Sequence, residues 1–141
     1  VSAHRIVALA SGAAVIVAVA AGLWVVGSPG EQRLRRLDDR RVSDLRQIAY
    51  AVLGRWNERQ SLPAGTADLA DGLYLARLPA DPVTEAAYEY RVTSEREFEL
   101  CAVFDRPARQ DEAGDFWYHE AGRHCFAFDA TERAPYAPMP R

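Results

Sequence analysis

Two cysteines, Cys101 and Cys125, and the run His119-Glu120-Ala121-Gly122-Arg123-His124 hold the most reactive side chains of this 141-residue chain. An even cysteine count in a short domain predicts a disulfide if the domain is exported, so Cys101 and Cys125 are the expected bridge. The histidine run looks like a zinc-protease helix but fails its spacing rule. That chemistry needs two histidines four apart on one helical face, and these are five apart across a glycine. A metal site built from Cys101, Cys125, His124 and His119 meets a second obstacle: His124 and Cys125 are adjacent, so a strand sends them to opposite faces. The acids Asp105, Asp111, Glu112 and Asp115 lack the regular oxygen spacing of a calcium loop and read as a solvated loop. No nucleophile elbow, phosphate-cradling glycine loop or dinucleotide fingerprint is present. The expectation is therefore a non-catalytic protein with no cofactor, no metal and no small-molecule substrate. Two clusters remain as contact surfaces. Arg33, Arg35, Arg36, Arg40 and Arg41 could meet anionic lipid headgroups or form a solvated helix face. Phe116, Trp117 and Tyr118 could form an exposed aromatic patch, although packing on the core is the simpler use.

The elements that must position these residues begin with an apolar run, Ile6 to Val26, which contains no charge and only Ser11 as a polar side chain. As a helix it spans about 30 Å, the thickness of a bilayer's hydrocarbon core. A signal peptide would also be apolar, and Ala18-Val19-Ala20 fits a cleavage site. Apolar residues continue through Val26, however, and Trp24 suits a helix end at headgroup level, so the run reads as an uncleaved single-pass anchor. Orientation signals conflict. The arginines that follow the run favour a cytoplasmic domain by the positive-inside rule, whereas the cysteines favour export. The outward orientation is preferred, in a bacterial inner membrane with the domain facing the periplasm or the cell exterior.

Gly27-Ser28-Pro29-Gly30 should end or kink the membrane helix. From about Glu31 to Gln60, apolar residues recur at three- and four-residue steps, which predicts an amphipathic helix. Within it, Asp39/Arg35 and Asp44/Arg40 are spaced to pair. Ser61 to Gly65 stops it, and Thr66 is placed to cap a short turn that turns Leu69, Leu73 and Leu75 inward. After Leu78 to Pro82 the period becomes two. Tyr88, Tyr90 and Val92 mark one strand, Phe98 to Phe104 a second, and Arg123 to Asp129 another. A turn at Thr93-Ser94-Glu95 would place Tyr90 beside Phe98 and Arg91 beside Glu97. Phe116 to His119 reads as a short strand or an aromatic lid. Parity puts Cys101 and Cys125 off the buried faces of their strands, on the same side of the sheet. If they are opposite each other in antiparallel neighbours, Phe98, Leu100, Phe126 and Phe128 share the core.

The fold class expected is α+β: an N-terminal transmembrane helix and an amphipathic helix packed on a small antiparallel sheet of three or four strands. The domains are 1–30 anchor and linker, 31–129 the folded domain, and 130–141 a disordered Pro-rich tail. A formal net charge of −3 excludes a nucleic-acid surface, which needs a clear basic excess.

The order of parts, with VSDLRQIAYAVLGRWNERQSLP leading to LPADPVTEAAYEYRV and a small sheet, resembles the pilin-like proteins, especially the type II secretion major pseudopilins. The matching positions are Leu62-Pro63, Asp81-Pro82, Tyr88 and Tyr90, within roughly residues 40 to 104. The family's processing motif, a glycine followed by Phe-Thr-Leu-Ile-Glu, is not read here, and the apolar run holds no glutamate. The resemblance implies a pseudopilin-like fold and a non-catalytic, outward-facing role in a secretion or pilus-like envelope assembly. The partners expected are the lipid bilayer and other envelope proteins. A reading of another class is a cytoplasm-facing tethered module that binds a small ligand or metal through Cys101, Cys125 and His124.

Overall fold

A computed structural model describes residues 2–26, 28–70 and 74–132. The chain divides into two compact units, Val1–Leu34 and Arg35–Arg141. Helix α1, Ala3–Val26, is apolar on every side, and its side chains through Trp24, itself 89% exposed, lie open. It is long and apolar enough to cross a membrane. Helix α2, Pro29–Arg59, begins as the local chemistry dictates. Pro29 occupies the first helical position, where its missing N–H costs nothing, and the Ser28 hydroxyl accepts the Glu31 N–H at 3.2 Å as the N-cap.

The second unit carries a three-stranded antiparallel sheet in the order β1-β2-β3, with β1 Glu89–Val92, β2 Glu97–Phe104 and β3 Gly122–Asp129. Three strands fall within the expected three or four, and the α+β class holds. Leu45, Ile48 and Val52 from α2 share one buried cluster with Phe98, Leu100, Phe104, Phe126 and Phe128 from the sheet. Phe98 and Phe128 pair directly across β2 and β3 and stack with ring centroids 4.8 Å apart. These side chains alternate along their strands, so a single face of the sheet supplies the core.

The hairpin register differs from the expected one by two residues. Tyr90 pairs with Leu100, Arg91 with Glu99 and Val92 with Phe98. The expected pairing would turn the chain through Thr93, Ser94 and Glu95, a loop of the same length moved one residue toward the N-terminus. Instead Thr93 N–H donates to the Glu97 carbonyl at 2.9 Å, leaving Ser94, Glu95 and Arg96 as the loop. A shift of two preserves parity, so each strand keeps its buried face. Arg91 consequently pairs with Glu99 rather than Glu97.

One further expectation is corrected. The short turn after α2 is a 3-10 helix at Thr66–Leu69 with Gly65, not Thr66, at its N-cap; Leu69 is fully buried, and Leu73 lies outside the described residues. Of the two readings of Phe116 to His119, a short strand or an aromatic lid, the segment takes the lid, in which Phe116 and Trp117 pack against Phe126 and Phe128. Packing continues one residue past β3. Ala130 is buried and its N–H donates to the Arg96 carbonyl at 2.9 Å, which closes the end of β3 over the hairpin. The rest of the expected tail, 133–141, lies outside the described residues.

Candidate functional site

On α2, Asp38, Arg41 and Asp44 follow one another at three-residue steps and form a buried polar stripe that continues into the apolar Leu45, Ile48 and Val52. Arg41 is only 5% exposed. Its Nη1 donates to Asp38 at 2.7 Å and to Asp105 at 2.6 Å, and its Nε donates to Asp81 at 2.7 Å. Arg41 is therefore not a headgroup-facing arginine, as its place in the cluster at 33–41 suggested. Three carboxylates satisfy it inside the domain. Arg33, Arg36 and Arg40 remain exposed, Arg40 pairing with Asp44 at 3.7 Å, while Arg35 is half-buried.

Each carboxylate ties Arg41 to a different segment. Asp38 also accepts the N–H groups of Asp105 and Arg106, at 3.0 and 2.9 Å, which pins the end of β2 to α2. Asp81 accepts the N–H groups of Val83 and Thr84, at 3.0 and 2.9 Å, and so organises the loop that the Ala80–Ala87 bridge closes. Burial disfavours both charges. The hydrogen bonds to Asp81, Asp105 and Asp38 outweigh it for Arg41, whose pKa is raised. For Asp81, the hydrogen bond from Arg41 and those from the loop N–H groups hold the carboxyl at about 2. Beside this cluster the Tyr88 hydroxyl donates to buried Asp44 at 2.9 Å, and the Tyr90 hydroxyl donates to the Pro63 carbonyl at 3.0 Å. Burial first, then the Asp44 bond, raises the Tyr88 pKa, and burial lifts Tyr90 to about 12. Both phenols thus stay protonated and act as struts between β1 and the preceding segments.

The stripe borders a groove of about 260 Å³ between α2 and the Arg106–Asp115 loop. Its rim carries both signs of charge: Arg35, Arg46, Arg106 and Arg109 with Asp39 and Glu112. Trp117 and His119 lie at its inner end, and the Arg46 guanidinium sits 5.2 Å from the Trp117 ring centroid, a cation–π distance. His119 is buried and stacks on Phe104 with centroids 3.6 Å apart. Burial lowers its pKa, so the ring is neutral at neutral pH. A mixed-charge rim around an aromatic floor suits recognition of a polypeptide surface bearing both charges.

The aromatic trio raised from the sequence does not form an exposed patch. Trp117 is buried, Phe116 packs on the core, and the half-buried Tyr118 donates to Glu120 at 3.2 Å. The apolar residues of the lid leave water because Phe126 and Phe128 offer them a surface to cover.

Cys101 and Cys125 are directly opposite in the β2–β3 register, and their sulfurs lie 2.14 Å apart, at bonding distance. A bridge closing this 24-residue separation stabilises the fold by about 3.5 kcal/mol through the unfolded chain's lost entropy. His124 faces the other way, against Phe126 at 4.8 Å, so the ligand set Cys101, Cys125 and His124 is split across the sheet. Among the described residues, the carboxylate within ligand reach of both sulfurs is Glu99. No protein-family model, curated protein or solved structure matches this chain.

Proposed function

We propose that this chain is a single-pass membrane protein whose α+β domain faces the periplasm or cell exterior and serves a non-catalytic, protein-interaction role in an envelope assembly. The observation that carries the reading is α1: a 24-residue helix, apolar all round, with exposed side chains throughout its described part. Leaving that much apolar surface in water is unfavourable at roughly 25 cal/mol per Å², so the helix needs a bilayer around it. Outward orientation is supported by the cysteine sulfurs at bonding distance, a state favoured in oxidising compartments. A pilin-like build agrees with the placement of the motif residues. Asp81, Tyr88, Tyr90 and Pro63 all serve as ties between the long helix, its following loop and the first strand. The mixed-charge groove beside α2 is the surface we assign to a protein partner.

Impermeant maleimide labelling of denatured protein from intact spheroplasts tests this. Thiols that label only after reduction, in unlysed cells, support an outward, bridged domain. Thiols that label without reductant, and only after lysis, would place the domain in the cytoplasm and refute the orientation. Charge reversal of Arg46 and Arg109 then tests the groove. Co-purifying envelope proteins should be lost while thermal stability is retained, and unchanged capture would reject the groove as the contact.

A further inference from the structure

The two sulfurs of the bridge stand in unequal surroundings. They lie on the sheet face opposite the core, yet Cys101 is only 2% exposed whereas Cys125 is half-buried. Cys101 sits on the central strand, and its neighbour on the far side from Cys125 is Glu89 of β1. Arg123 of β3 reaches across to Glu89, donating through Nε at 3.1 Å and Nη2 at 2.8 Å. The same Nη2 points an N–H at Cys101 Sγ, 3.5 Å away. Cys125 sits on β3, an edge strand of this three-stranded sheet.

We propose that the Cys101–Cys125 bridge is a directional thiol-exchange site at which a small-molecule thiolate attacks Cys125 and expels Cys101. Attack on a disulfide runs in line with the S–S axis, opposite the leaving sulfur. The bridge joins the central strand β2 to the edge strand β3, so the Cys125 sulfur is the one nearer the sheet edge. An approach to Cys125 therefore comes from beyond the edge strand, whereas an approach to Cys101 must come through the Glu89–Arg123 pair. The new bond forms between the incoming sulfur and Cys125 Sγ as the Cys125–Cys101 bond breaks. The bonding pair leaves on Cys101 Sγ as a thiolate beside the Arg123 guanidinium. A lower-pKa thiol leaves faster, and a neighbouring guanidinium lowers a thiol's pKa. The products are a mixed disulfide at Cys125 and a free Cys101 thiolate, with no net oxidation. Glu99, the other acid beside the sulfurs, is neutralised by Arg91. Arg123 is a positioning and electrostatic residue in this scheme, and it forms no covalent bond.

The test treats the full oxidised chain in detergent micelles with reduced glutathione, then acid-quenches, alkylates and maps the peptides by mass spectrometry. Glutathione should be found on Cys125 and the alkyl group on Cys101. Glutathione on Cys101 to an equal or greater extent, or no mixed disulfide in the folded protein, would overturn the proposal. Two variants separate leaving-group stabilisation from simple cover, because both break the same ion pair. Arg123→Gln should slow exchange about threefold, the effect of a one-unit change in thiol pKa at a Brønsted slope near 0.5. Glu89→Gln, which leaves the guanidinium uncompensated, should speed it by a similar factor. Opposite signs support the assignment. Rates that move in the same direction, or do not move, defeat it.

Discussion

Replacing Arg41 by methionine removes the cation that, among the described residues, Asp38, Asp81 and Asp105 share, while keeping an unbranched side chain of similar length in the helix. The Asp81 carboxyl shows the scale of the interaction, which Arg41 shares with the Val83 and Thr84 N–H groups. Its displacement from the ordinary 3.8 to about 2 corresponds to ~2.4 kcal/mol, which solvent at the edge of the cluster reduces to about 1–2 kcal/mol. Asp38 loses its partner too, in a more enclosed position, and breaking a buried ion pair from one side typically costs about 3–5 kcal/mol. At about 4 °C per kcal/mol for a domain of this size, the variant should melt roughly 12–20 °C below the parent at pH 7. The sign of the pH dependence is also set. Asp81 has a folded pKa below its unfolded value, so its contribution is complete above about pH 4 and lost as pH falls toward 2. In Arg41→Met the acids repel one another when ionised and relax when protonated. The gap between variant and parent should therefore narrow between pH 4 and pH 2. Tryptophan fluorescence melts of the detergent-solubilised chain, reporting on buried Trp117, measure both. A fall of less than about 4 °C at pH 7, or a gap that does not change on acidification, would refute the account of Arg41 as the organising charge.

Two further outcomes follow from the same geometry. Tyr88→Phe leaves the buried Asp44 carboxylate without its 2.9 Å donor and should cost about 1–3 kcal/mol, read as a lowered melting temperature that Asp44→Asn does not deepen additively. His119 has its pKa lowered by burial, so the unfolded chain takes up a proton first. Stability should decline as pH falls below about 6.5, and His119→Phe should flatten that decline in melts at pH 7.5 and 5.5.

Much of the fold is written in local periodicity. The 3.6-residue repeat from Leu45 to Val52 and the alternation in β1, β2 and β3 each name a buried face without knowledge of any partner. Parity also placed Cys101 and Cys125 on one side of the sheet. The β1–β2 offset does not touch it, because both cysteines lie in the β2–β3 pair, where they stand opposite each other. The offset itself was not legible from side-chain pairing. Both registers turn the chain through three residues, and the observed one sets Thr93 against Glu97 and Ser94 to Arg96 in the loop.

The candidate site was much less legible. Arg41 was read with four other arginines as a headgroup-facing or solvated cluster, although its spacing of four and seven residues from Leu45 and Ile48 sets it on the buried face of α2, where Arg40 is not. Its identity as a buried hub depends on Asp81 and Asp105, which are 40 and 64 residues away. For Trp117 the sequence left an exposed patch and core packing both open, with packing the simpler, and Phe126 and Phe128 supply the surface it covers. By itself, then, the sequence determined the apolar N-terminal helix, the amphipathic α2, the three strands and which face each buries, because these follow from contacts between residues close along the chain. Only the tertiary structure decided which charges are buried, where the groove lies and which sulfur of the bridge is shielded. Those properties depend on distant segments meeting, and a charge's meaning is set by the partners and the solvent it has left after they meet.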